Sequence, residues 1–274
     1  MLVDTHIHLQ DQKYVNDIDQ VLERAVNAGV GAVIVPGTTL QDSIQAVVLA
    51  EKYRNARCRV YAAVGIHPTE AHTLTPAALA ELHTLAQNDR VVAVGEIGLD
   101  YYWPNNTNRT WQCAEPPEQR QAFISQLNLA HDLSLPVIVH NRNADDDTMA
   151  FLADWHTSSI THTGVLHSYS GGLKRLTAVI ELGFFISVGG RITYKNAHEL
   201  RNVAEAVPND RYVIETDGPY LAPVPFRGKR NEPKYLPYTA SRIALVKGVD
   251  VDSIERKTTQ NALSLFGLDI KSTI

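Results

Sequence analysis

Residues 1–10 read MLVDTHIHLQ, a short apolar run that ends in two histidines two positions apart, His6 and His8. In an extended strand, residues i and i+2 point to the same face. Both imidazoles can therefore face one object, and imidazole is a common ligand of divalent metal ions. An HxH pair alone is also found in cores and on surfaces, so the reading depends on whether other strands of the chain end in the same way.

They do. Short apolar runs rich in β-branched residues recur at 2–7, 31–35, 60–64, 91–95, 136–140, 164–167, 184–188 and 211–215. Each is short and nearly continuous, as expected of parallel strands covered on both faces. Amphipathic stretches separate them. Residues 18–28 place Ile18, Val21, Leu22, Ala25 and Val26 at helical spacing before Gly29, and Thr75-Pro76 is an N-cap followed by proline at the first helical position. Further helices are predicted over 42–53, 76–85, 118–133, 146–155, 173–182 and 197–206, with helical stretches after Pro237. Eight strand–helix units in regular alternation predict a (β/α)8 TIM barrel, α/β in class, spanning 1–274 as one domain. Losing one strand would leave an open Rossmann-like sheet, but no GxGxxG follows the first strand.

In such a barrel, chemistry sits where the strands end at their C-terminal mouth. The residues at those ends are His6 and His8, His67 in Gly65-Ile66-His67-Pro68, Glu96, His140, His167, and Asp217 in Glu215-Thr216-Asp217. Singly, each has a bland role: a core histidine, a surface carboxylate, or a turn-initiating aspartate before Gly218-Pro219. Jointly, His6, His8, Glu96, His140, His167 and Asp217 put six potential ligands at the mouths of five strands. That set suits Zn, Mn or a similar divalent ion and exceeds what one open tetrahedral site needs, so two ions bridged by a carboxylate are expected. His67 is intermediate, since Pro68 could hold it simply in a turn. His72, His83, His131, His156, His162 and His198 lack strand-end placement and are treated as background.

Composition narrows the rest. The chain has 274 residues, 44% hydrophobic and 20% charged, with a net charge of −5. That charge argues against coating long nucleic acid but leaves room for a local basic patch. Cys58 and Cys113 are the only cysteines, and they form no CxxC pair. A reducing, cytoplasmic setting is expected, without signal peptide or membrane span. Nothing in the sequence fixes an oligomeric state, and a monomer suffices. The polar, aromatic-studded stretch 101–111 reads as an unusually long loop after the fourth strand, of the kind that often carries function.

The stretches DTHIHL (4–9), VGIHP (64–68), VGEIGLDYY (94–102), PVIVH (136–140), LHSYSG (166–171) and ETDGPYLAPVPFRGKRNEP (215–233) together resemble the TatD family of metal-dependent hydrolases, within the amidohydrolase-type barrels. The likeness runs over essentially the whole chain. It implies a two-metal site in which His6, His8 and Asp217 hold one ion, His140 and His167 the other, and Glu96 bridges; Zn, Mn or Mg would serve. It implies a deoxyribonuclease that removes nucleotides from a 3′ end by metal-activated water, with nucleic-acid ends or a small phosphodiester as substrate. A D-aminoacyl-tRNA deacylase or other ester or amide hydrolase is the alternative on the same ligands, and a catalytically silent metal-binding barrel is the non-enzymatic one. Structural zinc sites are usually closed and cysteine-rich, unlike this His, Glu and Asp set.

The resemblance also directs attention to the rim. Asp217 is expected to move the proton in hydrolysis, with Glu96 beside it, and His67 to bind substrate or assist the leaving group. Arg227, in the run Phe226-Arg227-Gly228-Lys229-Arg230, is expected to grip phosphate, and Tyr102 to stack on a base or hydrogen-bond a phosphate. The chain departs from the family at Asn141-Arg142, at Ser168-Tyr169, at Gly218 and in the length of the loop after Tyr102, none of which removes a ligand.

Overall fold

The computed structural model describes residues 1–158 and 163–270; His162 lies outside the described residues. Eight parallel strands follow one another in space in chain order: β1 (Leu2–Asp4), β2 (Val30–Pro36), β3 (Arg59–Val64), β4 (Val91–Asp100), β5 (Val137–Arg142), β6 (Gly164–Leu166), β7 (Phe185–Val188) and β8 (Tyr212–Ile214). Helices α1 (Ile18–Asn27), α2 (Leu40–Lys52), α3 (Pro76–Leu85), α4 (Pro116–Leu133), α5 (Asp145–Ser158), α6 (Gly172–Glu181) and α7 (His198–Ala206) alternate with them. Two helices follow β8: α8 (Leu236–Lys247) and α9 (Val251–Phe266). The expected barrel is therefore present.

β1 and β8 form no regular ladder with each other, and the seam between them is closed by three backbone bonds at their ends. Thr5 donates its N–H to the Ile214 carbonyl at 3.2 Å, Asp217 to the His6 carbonyl at 2.9 Å, and His8 to the Gly218 carbonyl at 2.8 Å. The buried Asp4 carboxylate reinforces it, accepting the N–H and hydroxyl of Thr216 at 2.9 and 2.6 Å. These bonds tie the segment that carries His6 and His8 to the one that carries Asp217.

Every strand differs from its expected bounds by at least one residue, and at three of them the difference bears on the site. Regular β1 pairing ends at Asp4, and only Ile7 regains a parallel bridge, to Gly218. His6 and His8 thus flank a bridge residue instead of sitting inside a strand. β8 stops at Ile214, one residue before its expected end. β4, expected to end at Gly95, runs on to Asp100. Its pairing with β5 shifts between Gly95 and Ile97, so Glu96 is the extra residue of a bulge, a device that re-aims a side chain. Gly98 permits the close approach that follows: its φ is +135°, and a Cβ there would meet the His140 carbonyl oxygen at 2.0 Å.

The two ends of the barrel are filled differently. At the start of the strands, α9 lays Ala262, Leu265 and Phe266 against Val3, Ile34, Tyr61, Val165, Phe185 and Val213. Thr259 bonds the Met1 carbonyl, Asn261 the Tyr212 carbonyl and Arg59 the Asp269 carbonyl, which fixes α9 over that end. The opposite end is left to polar residues.

Candidate metal centre at the strand ends

Glu96 occupies the middle of the mouth, 3% exposed. One of its oxygens, Oε1, lies 2.8 Å from His140 Nδ1 and 2.8 Å from His167 Nε2. The other, Oε2, lies 3.4 Å from His6 Nε2 and 3.7 Å from His8 Nε2. The nitrogens of each pair face one another, at 3.1 Å for His140 and His167 and 3.2 Å for His6 and His8. Asp217 approaches His8 Nε2 at 3.8 Å through Oδ1. The structure thus brings all six expected ligands together from five strand ends. Asp217 takes a left-handed φ of +55°, which aspartate tolerates better than most residues.

His67 joins them, its Nε2 3.6 Å from Glu96 Oε1. The Thr69 N–H donates to His67 Nδ1 at 3.2 Å, which puts the neutral ring's proton on Nε2, facing the site. Pro68 opens a 3₁₀ turn over Pro68–Thr73, so the turn role and the pocket role coexist in one residue.

Carboxylates behind the histidines were not read from the sequence. Asp100 meets His140 Nε2 at 3.1 Å and accepts the N–H groups of Tyr102 and Trp103. Glu215 lies 3.8 Å from His167 Nδ1 and accepts the Ser168 N–H at 2.7 Å. Partners of this kind fix ring orientation and raise ligand basicity in metal sites. The available signal was that Glu96 and Asp100 lie four residues apart, which shares a face only if the strand continues; with the strand ended at Gly95, Asp100 read as loop.

Burial pushes the His8 imidazole down to about 4, helped by His6 beside it, and the His67 imidazole down to about 3, helped by His140. Burial also pushes the Asp217 carboxyl up to about 6, against the pull of His6 and His167. Burial would raise Glu96 as well, but the surrounding histidines, His167 first, hold it well below the usual carboxylate range. For His167, burial is outweighed by Glu96 and Glu215, and its ring is held well above the ordinary histidine range. Convergent imidazole nitrogens sharing one buried carboxylate are poor neighbours on their own, and their donor chemistry fits borderline divalent ions. Three groups meet the spacing for a metal ion: His6, His8 and Glu96; His67, Glu96 and His140; and His6, His167 and Glu215.

The two expected rim residues stand apart from this cluster. Tyr102 is half-exposed, with the Arg142 guanidinium 3.8 Å from its ring centroid and Trp103 packed edge-on against it. Trp103 in turn meets Trp111, so the long loop folds its aromatic residues beside Arg142. Arg227 is exposed, its guanidinium 4.5 Å from the centroid of the Tyr194 ring. Arg230, three residues on, is engaged elsewhere: it forks onto both oxygens of Asp17 at 2.7 Å and reaches Glu232 at 2.8 Å.

Known proteins match the chain from end to end in sequence and fold. The family model described as TatD related DNase matches residues 3–267. An uncharacterized metal-dependent hydrolase, YabD, of Bacillus subtilis is 37% identical over 98% of this chain and all of its own. A Klebsiella pneumoniae protein named 3′-5′ ssDNA/RNA exonuclease TatD is 34% identical over 98% of this chain and 99% of its own. The crystal structure of YJJV, a TatD homolog from Escherichia coli, superposes with a TM-score of 0.86 at 30% identity, covering 97% of this chain and 98% of that one. A barrel whose mouth gathers histidines around one carboxylate, matched from end to end by these relatives, belongs to the TatD related DNase family of metal-dependent hydrolases.

Proposed function

We propose that the chain is a two-metal phosphodiesterase that shortens single-stranded nucleic acid from the 3′ end, acting as one barrel domain. The observation that carries the reading is the division of Glu96: each oxygen faces its own histidine pair. His6, His8 and Asp217 would hold one divalent ion, His140 and His167 the other, with Glu96 shared. Divalent ions in such a site acidify water to near neutrality and stabilise charge developing on phosphoryl oxygens.

The chain's own residues complete the chemistry. Asp100 accepts a hydrogen bond from His140 Nε2–H, which leaves Nδ1 directed at Glu96 and available as a ligand. Asp217, set 3.8 Å from His8 Nε2 at the edge of the cluster, is placed to accept a proton from the attacking water. His67, pushed down to about 3, stays neutral and offers its Nε2–H to a phosphoryl or leaving oxygen. Tyr102, in the loop after β4, is read as a stacking partner for a base, and Arg227, in the loop after β8, as a grip on a phosphate. Free, buried Cys58 and Cys113 support a cytoplasmic setting, and no described helix is long and apolar enough to cross a membrane.

The test is turnover by metal-stripped protein reloaded with Mg²⁺, Mn²⁺ or Zn²⁺ on a 5′-labelled single-stranded DNA. A metal-dependent ladder of 3′ shortening, lost in Asp217→Asn, is expected. Absence of product with every metal, or turnover of D-aminoacyl-tRNA alone, contradicts the reading.

A further inference from the structure

The loops after β7 and β8 are hydrogen-bonded into one rim, and that rim presents an arginine with no partner among the described residues. Thr193 donates to the Gly190 carbonyl at 2.7 Å and accepts the Val224 N–H at 2.8 Å. Tyr194 donates its hydroxyl to the Ala222 carbonyl at 3.0 Å. Gly190 packs so closely that a Cβ there would meet the Leu221 carbonyl oxygen at 2.6 Å. Arg201 clamps the same turn from behind, donating to the carbonyls of Ile192, Tyr194 and Lys195 at 3.2, 2.7 and 3.2 Å. The turn, a 3₁₀ helix over Gly190–Thr193, is therefore held from four directions.

Arg191 sits inside this turn. Its guanidinium makes no hydrogen bond or ion pair with any described residue. It is nevertheless half-buried, and it lines two adjoining cavities. One is a narrow space of about 10 Å³ that it shares with Asp217, Glu215 and Ser168. The other, of about 150 Å³, opens between Tyr169, Asn196 and Leu200. A cation that is half withdrawn from water yet left without an acceptor gains most from a charged ligand, and a guanidinium fork matches phosphate oxygens. Arg227 stacks on the Tyr194 ring and is likewise without an acidic partner among the described residues. The contrast with Arg230, forked onto Asp17 and Glu232, marks which basic residues of the rim are free for a ligand.

Resting on the nuclease reading above, we propose that Arg191 is a substrate-binding residue that takes a backbone phosphate of the nucleic-acid strand beside Asp217, with Arg227 gripping the next. The strand would thus leave the metal centre across the β7–β8 rim. Glu199, which also lines the larger cavity, stands against Gly172 at the start of α6 and forms no ion pair with Arg191.

Binding is tested directly, by fluorescence anisotropy of a 5′-fluorescein hexathymidylate with a hydrolysis-resistant 3′-terminal phosphorothioate, titrated with the metal-loaded enzyme at several salt concentrations. Losing a charge-assisted phosphate contact in Arg191→Ala is expected to weaken binding about tenfold or more. The slope of log affinity against log salt should fall by about 0.7, the value of one phosphate contact on a single strand. Arg191→Lys should keep most of the slope and lose part of the affinity, because the charge stays and the fork goes. Wild-type affinity and slope in Arg191→Ala would overturn the proposal, as would a lowered melting temperature with unchanged binding, or no binding of the oligonucleotide by the wild type. Turnover of bis(p-nitrophenyl) phosphate by the wild-type enzyme, measured alongside, reports on the phosphodiesterase reading separately.

Discussion

The two ends of the barrel solve opposite problems. At the strand starts, α9 closes the interior with Leu265 and Phe266 over Val3, Ile34 and Phe185, a dry apolar contact whose free energy scales with area removed from water. At the strand ends, His6, Glu96, His167 and Glu215 are all buried. Buried ionisable groups cost stability unless paired, and here much of the pairing is with one another. One end therefore holds the barrel together, and the other holds convergent charge at the barrel's expense. Changes at the two ends should separate cleanly into loss of activity without loss of fold, and loss of fold without change of ligand set.

The largest effect is expected at the mouth. Asp217→Asn removes the proposed proton acceptor and should lower kcat by about 10²–10⁴-fold with the melting temperature unchanged or raised. A large fall in melting temperature together with activity would break the distinction between the ends. At the closed end, Phe266→Ala should cost about 3–5 kcal/mol in denaturant unfolding while bound metal per folded chain stays at the wild-type value. Metal loss in proportion to activity would show that the ends are coupled.

Smaller changes sharpen the contrast within the mouth. Asp100→Ala leaves every expected ligand in place but frees His140 Nε2, and should weaken metal affinity about 10–100-fold. Unchanged affinity would reduce Asp100 to an anchor for the Tyr102 and Trp103 N–H groups. The smallest effect belongs to the ion-pair network beside α1. Arg230, by hydrogen bond, pushes the Asp17 carboxyl down to about 2. Because the folded value lies below the unfolded one, its contribution is present above about pH 4 and is lost as pH falls toward 2. Asp17→Asn should therefore flatten the fall in melting temperature between about pH 4 and 2, and an unaltered acid limb would show that the network adds nothing.

The alternation of β-branched runs and amphipathic stretches was enough to read the barrel, because parallel strands buried on both faces leave no other pattern. The candidate ligands were legible for a related reason: histidine or a carboxylate directly after such a run has few purely structural roles when it recurs in five strands. What could not be read was the local geometry. The bulge at Glu96 and the continuation of β4 to Asp100 depend on the close pairing of Gly98 with His140, a contact between residues 42 positions apart. Glu215 and Asp4 read as ordinary strand residues, since their roles come from His167 and Thr216 across the barrel. The basic run 226–230 reads as uniform charge, yet Arg230 is tied to Asp17 and Arg227 is not, a difference set by where α1 lies.

The central claim is a site for two ions divided by Glu96, and metal stoichiometry tests it most directly. Elemental analysis of reloaded, folded protein should give two equivalents of divalent metal for the wild type. It should give one for the double variant His6→Ala, His8→Ala, with the melting profile still cooperative. Equal stoichiometry in the two proteins, or a single equivalent in the wild type, would contradict the account.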